Sequence, residues 1–401
     1  MRWRKAGREG HGLGTFLISP LGIVFTTVVI DLIGFGIVIP ILPIYAEDLG
    51  ASPTQIGALA ASYALMQFLF APLWGRLSDR YGRRPVILIA LAGTAVSSLL
   101  IGFATALWFL WVSRILNGIS GASYSAAQAY VADVTGPEDR ARGMGLIGAA
   151  FGLGFILGPA IGGLCSLVDP RLPFFVAAAV AGANLVLAYR RLPEPERHEE
   201  RRSSGRDLMR LAFRDGRIAP MMAITFLGTF AFVGMEQTFA LLGKERFGFG
   251  QAAVGLMFVY IGVLVAYVQG RAIGPLVKRR GERSVMLVGL AATGVALGLL
   301  GVITQVWALF PVLALLAASG LVFPTVTSLV SKEVGEGDQG GILGLAASVG
   351  GLARIFGPLA AGALFEVAIP LPYLVGAGLF AVCLVIALRW WGDPALEPVA
   401  P

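Results

Sequence analysis

Long apolar runs, each close to the width of a bilayer, recur along the chain and are parted by short charged turns. The sharpest turn is Gly75-Arg76-Leu77-Ser78-Asp79-Arg80-Tyr81-Gly82-Arg83-Arg84-Pro85. Residues 65–74 enter it without a charge, and residues 86–113 leave it without one. A helix needs about 20 apolar residues to cross the hydrocarbon. Four arginines and an aspartate between two such runs are what a tight loop at a membrane surface requires. Gly75 and Gly82 are expected to shape a compact turn, and Pro85 to begin the next helix.

Composition agrees with this reading. Charged residues make up 14% of the chain and hydrophobic ones 56%, whereas soluble domains carry about 25% charged residues. The net charge of +7 does not point to nucleic acid, because the basic residues sit in turns between apolar runs rather than on a polar face. Cys165 and Cys383 both lie in apolar runs, as free buried thiols do. The two histidines, His11 and His198, lie in polar flanks. A histidine metal site or relay within the spans is therefore excluded, and no metal or other cofactor is expected.

Twelve spans are expected, at 20–44, 54–75, 85–105, 107–132, 143–166, 173–190, 219–242, 252–276, 284–303, 307–331, 341–366 and 371–391. The first run is too long for the core of a signal peptide and contains Asp31, so it reads as a retained span. Lysine and arginine set the orientation. Segments on one side hold clusters such as Arg2 to Arg8, Arg76 to Arg84, Arg140 with Arg142, and Lys278 to Arg283. The segments on the other side hold only Arg171, Lys244 and Arg246. This asymmetry places both termini in the cytoplasm.

The chain also repeats itself. A shift of 199 carries Gly75, Leu77, Arg80, Gly82, Arg84, Val86 and Leu88 onto Gly274, Leu276, Arg279, Gly281, Arg283, Val285 and Leu287. The same shift carries Gly158-Pro159 onto Gly357-Pro358 and Gly145-Leu146 onto Gly344-Leu345. Two copies of one six-span unit follow, as in many polytopic transporters. The expected domains are 1–190, a cytoplasmic linker at 191–217, and 218–401. The linker is expected to be solvated, with a short amphipathic surface helix around Leu208, Leu211 and Ala212.

Ionisable side chains within spans are costly and mark function. Asp31 lies mid-span, with Gly34 and Val38 on its face and Pro40 and Pro43 beyond. It is a candidate proton carrier, or one partner of a static ion pair. Arg114, with Gly118 and Gly121 on its face, needs a carboxylate or carbonyls, and Asp31 is the natural candidate. Glu236 stands between Phe232 and Phe239 and could meet a solute, carry the coupled proton, or act as a gate. Arg354 lies among Gly350, Gly351 and Gly357 in the second copy. Gly154, Gly158 and Gly162 are spaced by four beside Pro159 and Gly163, which makes a groove for a close helix neighbour.

At these motifs the sequence resembles a known family. Gly75 to Arg84 resembles the loop between the second and third helices of the major facilitator superfamily. Gly145 with Gly154 to Gly163 resembles the fifth-helix motif of its antiporters, and Arg114 with Gly118 the fourth-helix motif assigned to proton transfer. Asp31 with Gly34, Gly36 and Pro40 resembles the first-helix motif of its twelve-helix drug:proton antiporters, tetracycline pumps included. The resemblance implies an all-α membrane protein of two six-helix bundles related by a pseudo-twofold axis. It implies a conformational latch at Gly75, Asp79, Arg80, Gly82, Arg83 and Arg84 that extends to Asp133. It also implies proton coupling through Asp31 and Arg114, to which the span position of Glu236 adds a further candidate, and a hinge at Gly145, Gly154, Gly158, Pro159, Gly162 and Gly163. The solute cavity is expected to include Phe232, Glu236, Phe239 and Arg354. One departure stands out: tetracycline pumps carry acids in the third and ninth helices, and residues 86–105 and 284–303 have none.

The expected function is proton-driven export of amphipathic small molecules across the cytoplasmic membrane. A dedicated metabolite transporter of the same fold is the alternative. The expected partners are a small-molecule substrate, protons and the lipid bilayer, with no nucleic acid and with the chain acting as a monomer. A membrane enzyme would need a nucleophile–base pair or metal cluster within the spans, and the sequence offers none.

Overall fold

The computed structural model describes residues 19–121, 123–135, 140–195, 218–332 and 339–391. The basic segment before residue 19 and the linker helix expected near Leu208, Leu211 and Ala212 lie outside the described residues. Every regular element among the described residues is helical. In order they are α1 (Pro20–Asp48), α2 (Pro53–Tyr81), α3 (Arg83–Gly102), α4 (Leu107–Ser120), α5 (Ser123–Val134), α6 (Arg140–Ser166) and α7 (Leu172–Arg191). The second half holds α8 (Ile218–Phe247), α9 (Gln251–Tyr267), a π segment (Val268–Ala272), α10 (Ile273–Val302), α11 (Val306–Leu316), α12 (Ser319–Lys332), α13 (Gln339–Val367) and α14 (Leu371–Trp391). In hydrocarbon every backbone group must be bonded internally, which long helices achieve. Their starts are built locally. Ser19 accepts from Gly22 N at 3.0 Å ahead of Pro20. Ser52 and Gln55 form a reciprocal capping box at α2.

Among the described residues, ten stretches are long and apolar enough to span a membrane. One of them, Gln251–Val302, has 52 residues, or about 78 Å at 1.5 Å per residue. It reverses at Gly281, whose φ of 76° and ψ of 158° leave the helical region, so it holds two spans. The short α4 and α5 together make a further span. The total is twelve, in two six-helix bundles.

Two boundaries differ from the sequence reading. The turn expected at Gly75 and Gly82 is a turn at Gly82 alone. Gly75 lies within α2, which runs on to Tyr81. A glycine costs a helix only about 1 kcal/mol, whereas Gly82 adopts φ 111°, a conformation open to glycine. The fourth and tenth spans are each described as two helices, the first ending at Ser120 and Leu316 respectively.

The shift of 199 holds in three dimensions. It carries α1 onto α8, α3 onto the part of α10 after Gly281, α6 onto α13 and α7 onto α14, each to within about two residues at either end. Gly82 falls on Gly281, and both have positive φ.

The bundles meet along two related seams, α2 with α13 and α6 with α9. A methyl group added at Gly57 would overlap the Pro358 carbonyl oxygen, and one at Gly255 would lie 2.8 Å from the Pro159 carbonyl oxygen. Gly362 abuts Pro53, and Gly163 abuts Ala252, which is the same pair shifted by 199. Ion pairs close this end: Lys244 reaches Asp48 at 2.7 Å and Glu47 at 3.0 Å. Glu366 accepts from Ser52 Oγ at 3.1 Å and Thr54 N at 3.2 Å.

Toward the other end, which carries Arg83 and Arg283, the seams part. The face of α6 that meets α9 at Phe155, Pro159 and Gly163 continues through Gly152, Gly148 and Gly145. A methyl group at any of these three would meet nothing within 4 Å. The same holds for Gly344 at the start of α13 and for Gly270 and Gly274 opposite α6. The bundles therefore enclose a cleft that is shut at the Lys244 end and open at the basic end.

The expected hinge divides between two neighbours. Gly154, Gly158 and Gly162 face α1 within their own bundle, where a methyl at Gly158 would lie 2.6 Å from Gly36 Cα. Pro159 and Gly163 face the other bundle. One helix thus presents a close-packed face to each side of the seam.

Candidate functional site

Tyr63, Arg354 and Glu236 gather where the seams part. On α13 the seam-facing residues run Gly344, Gly351, Arg354, Pro358 and Gly362. Gly351 touches Phe68 of α2, and Pro358 meets Gly57. Arg354 lies between these contacts and is exposed. Tyr63, on α2, is within electrostatic reach of Arg114, Asp31 and Arg354. Glu236, on the neighbouring α8, is within electrostatic reach of Arg354 and is half-buried. The apex of the cleft therefore brings Arg354 and Glu236 within electrostatic reach of each other, with the Tyr63 ring beside them in reach of Arg354.

Arg114 is 7% exposed, and its guanidinium sits 4.4 Å from the centroid of the Tyr63 ring. A ring face satisfies a cation in a dry site. This differs from the direct Asp31 contact suggested by sequence. A methyl group added at Gly118 would lie 2.5 Å from the Tyr63 carbonyl oxygen, so glycine there lets α4 approach α2 closely one turn from Arg114. The Tyr63 hydroxyl accepts from Gln67 Nε2 at 3.3 Å, and Gln67 also donates to Gly121 O at 3.0 Å. Asp31 lines a narrow cavity inside its own bundle, against α3 and α5. Neither Tyr63 nor Gln67 emerged from the sequence. Their only signal is two polar side chains one turn apart in an apolar span.

The expected cavity residues separate. Phe232 is half-buried and meets Phe323 edge-on at 5.9 Å. Phe239 is 2% exposed, belongs to the core and packs against Phe258 at 5.6 Å. Phe239 therefore does not line the cleft. At i+3 from Glu236 it turns toward α9 instead.

At the basic end the residues expected to form a latch, save Gly75, gather around Arg83. Its Nη1 donates to Asp79 Oδ1 at 2.7 Å and Ser78 Oγ at 3.0 Å, and its Nε donates to Asp133 Oδ2 at 2.9 Å. Charge-assisted bonds of this kind are strong and directional. Arg84 donates to the Tyr189 carbonyl at 2.6 Å and lies 5.5 Å from the centroid of the Tyr189 ring. Arg80 lies 5.3 Å from that of Tyr81.

The sequence reading missed Glu194, which lay within the segment read as solvated linker. Its carboxylate accepts from Arg83 N at 2.6 Å and Arg84 N at 3.0 Å, so it caps α3 at the positive end of the helix. A side chain at Gly82 would strike it. Tyr130 Oη donates to Pro193 O at 2.9 Å and ties down the same segment. We expect Glu194→Ala to lower stability by about 1 kcal/mol, the usual cost of a lost cap, and to loosen the latch. Thermal unfolding in detergent measures this; an unchanged midpoint would show that the cap contributes nothing.

The second copy reverses the latch charges. The shift of 199 carries Asp79, Arg83 and Asp133 onto Lys278, Glu282 and Lys332. Glu282 pairs with Lys332 at 2.8 Å and accepts from Ser328 Oγ at 2.8 Å. The geometry of the pair is conserved between copies while its sign is inverted. Arg283 lies 4.5 Å from the Trp390 ring centroid, as Arg84 lies over Tyr189.

A family model described as "Major Facilitator Superfamily" matches residues 24–273 and 272–401. The chain is 36% identical over 378 residues to "Tetracycline resistance protein, class C" of Escherichia coli, covering 91% of this chain and 96% of that protein. It is 32% identical over 379 residues to "Multidrug resistance protein 1" of Bacillus subtilis (strain 168), covering 92% and 96%. Among solved structures, that of the human organic anion transporter MFSD10 (TETRAN) has a TM-score of 0.71 at 27% identity, covering 94% of this chain and 100% of that one. The nucleoside transporter NupG has a TM-score of 0.76 at 15% identity, over 94% and 100%, which is a likeness of fold alone.

Proposed function

The chain belongs to the Major Facilitator Superfamily, and from that premise we propose that it is a proton-coupled exporter of small amphipathic or drug-like molecules. The relatives named for tetracycline and multidrug resistance support export. The observation that carries the mechanism is the cleft, shut at Lys244–Asp48 and open at Gly145 and Gly344, with Arg354, Tyr63 and Glu236 at its apex. A site at the junction of two repeats, reached from one side at a time, is what alternating access requires.

In this reading the basic end faces the cytoplasm and both termini lie there. The domains are 1–190 and 218–401, joined at 191–217, and the protein works as a monomer in the inner membrane without covalent chemistry. Solute enters from the cytoplasm against Phe232 and the apex charges. Asp31 and Arg114, with Glu236, carry the coupling. Protonation changes which facing state is favoured because it changes the charge each state must hold away from water. The Arg83 latch and its inverted counterpart hold the loops that must close over the solute when the basic end shuts.

Everted membrane vesicles with an acid interior, challenged with a broad panel of amphipathic drugs, test the reading. At least one compound is expected to release protons from the vesicles in proportion to its uptake. Uptake of a compound without proton movement would leave a transporter with another driving force. No response to any compound would remove drug export.

A further inference from the structure

We propose that the solute is a flat aromatic molecule charged at both ends, its acid held by Arg354 and its ammonium by Glu236, with its rings against the first bundle. The proposal rests on the reading of the cleft as the solute site and adds the class of solute. A row of aromatic rings crosses the first bundle from one seam to the other. Tyr63 of α2 lies 6.0 Å from Phe35 of α1, Phe35 lies 6.4 Å from Phe155 of α6, and Phe155 stacks with Phe151 at 6.2 Å between centroids. The helices at the two ends of the row are the seam helices, α2 against α13 and α6 against α9. A row that runs between the seams lies along the side that this bundle turns to its partner. All four residues are half-buried.

The second bundle does not repeat this wall. The shift of 199 carries Tyr63, Phe35, Phe155 and Phe151 onto Gly262, Gly234, Arg354 and Gly350. Three rings are answered by glycine and one by a guanidinium. Gly234 and Gly262 let helices approach closely, at Ala361 and at the Phe155 carbonyl, whereas a methyl group at Gly350 would meet nothing within 4 Å. Aromatic rings offer flat apolar area, and a few polar groups in an apolar cleft set what it selects. Here the rings stand on one side and the guanidinium on the other.

Charge accounting selects the ends of the solute. Arg354 is exposed although it lies within a span, between Gly351 against Phe68 and Pro358 against Gly57. Glu236 is half-buried on α8, which packs on α13. The two are within electrostatic reach, yet neither has a hydrogen bond or ion pair among the described residues. Charges within a span are costly unless paired. A solute with an acid alone would pair with Arg354 and set a second negative charge beside Glu236. A solute with an amine alone would pair with Glu236 and face the guanidinium. A dipolar solute pairs both and adds no net charge. The same accounting turns away a simple lipophilic cation, which Arg354 repels.

Equilibrium binding to the full chain in lipid nanodiscs, with three matched probes, tests this. The first probe is a naphthoic acid bearing an aminomethyl group on its far ring. The second is its methyl ester, which keeps the cation alone, and the third its N-acetyl derivative, which keeps the anion alone. The first is expected to bind about tenfold more tightly than either of the others, as the loss of a hydrogen bond to a charged group predicts. Arg354→Gln should bring its affinity down to that of the ester, and Glu236→Gln down to that of the N-acetyl compound. Arg354→Lys should keep part of the preference, and Phe35→Leu should weaken all three probes by a similar factor. Equal binding of the first probe and the ester would overturn the assignment, as would an Arg354→Gln variant that weakens all three probes alike. If drugs of the panel still release protons from vesicles, that result removes the dipolar solute and leaves the exporter standing. If no compound does, both fall.

Discussion

Asp31→Asn is expected to abolish proton-coupled efflux while the protein still folds and reaches the membrane. Asparagine keeps the shape and hydrogen-bonding capacity of the site but cannot change its charge. An acid within the hydrocarbon is costly unless it is neutral or paired, so the substitution costs little stability and could raise it. The loss is functional. Removing a positioned proton carrier typically costs a factor of about 10² or more. Drug-induced proton release from everted vesicles should fall to background, with the amount of protein in the membrane unchanged. Efflux at the original rate would exclude Asp31 from the cycle.

Gly57→Val is expected to disable transport by a different route. The Pro358 carbonyl oxygen occupies the place that a side chain at Gly57 would take. Neither neighbour is a flexible side-chain end that could swing aside, so α2 and α13 must separate. Overpacking of this kind costs about 1–3 kcal/mol, and 1.4 kcal/mol shifts a two-state equilibrium tenfold. The state closed at the Lys244 end should become about 5- to 150-fold rarer, with turnover falling in parallel. Gly148→Val should act with the opposite sign. It meets nothing in the present state but would hinder closure of the basic end. Labelling of cysteines placed near Ser52 by a membrane-impermeant reagent would read the shift: faster in Gly57→Val, slower in Gly148→Val. Equal rates in both variants would mean that the seams do not govern which end is open.

Much of this arrangement was legible in the sequence because the bilayer restricts the choices. Span number follows from length and hydropathy, and the offset that aligns Gly82 with Gly281 also aligns their turns. The ion-pair cluster at Arg83 was legible because charged residues at a span end have few places to go. What was not legible is which face of each helix points inward. In water an apolar stripe marks the core, but in lipid both faces are apolar. Leu65, Leu69 and Leu73 are exposed, whereas Ile37 and Ile41 are fully buried, and their side chains are alike. Phe239 was placed in the cavity for that reason, and Arg114 was given to Asp31 although its guanidinium rests on Tyr63. Tyr63 and Gln67 carry no charge to flag them. Glu194 sits in an acid- and arginine-rich segment where nothing local separates a helix cap from a solvated side chain.

The central claim is that a proton on Asp31 decides which end of the cleft is open. Distances between spin labels across the basic end, for example at Gly75 and Gly344, and across the opposite end near Ser52 and Glu366, test it together. On acidification the two distances should change reciprocally, one pair approaching as the other parts, and Asp31→Asn should hold a single arrangement at every pH. If the two pairs move independently, or if Asp31→Asn responds to acid as the unaltered protein does, the coupling described here is contradicted.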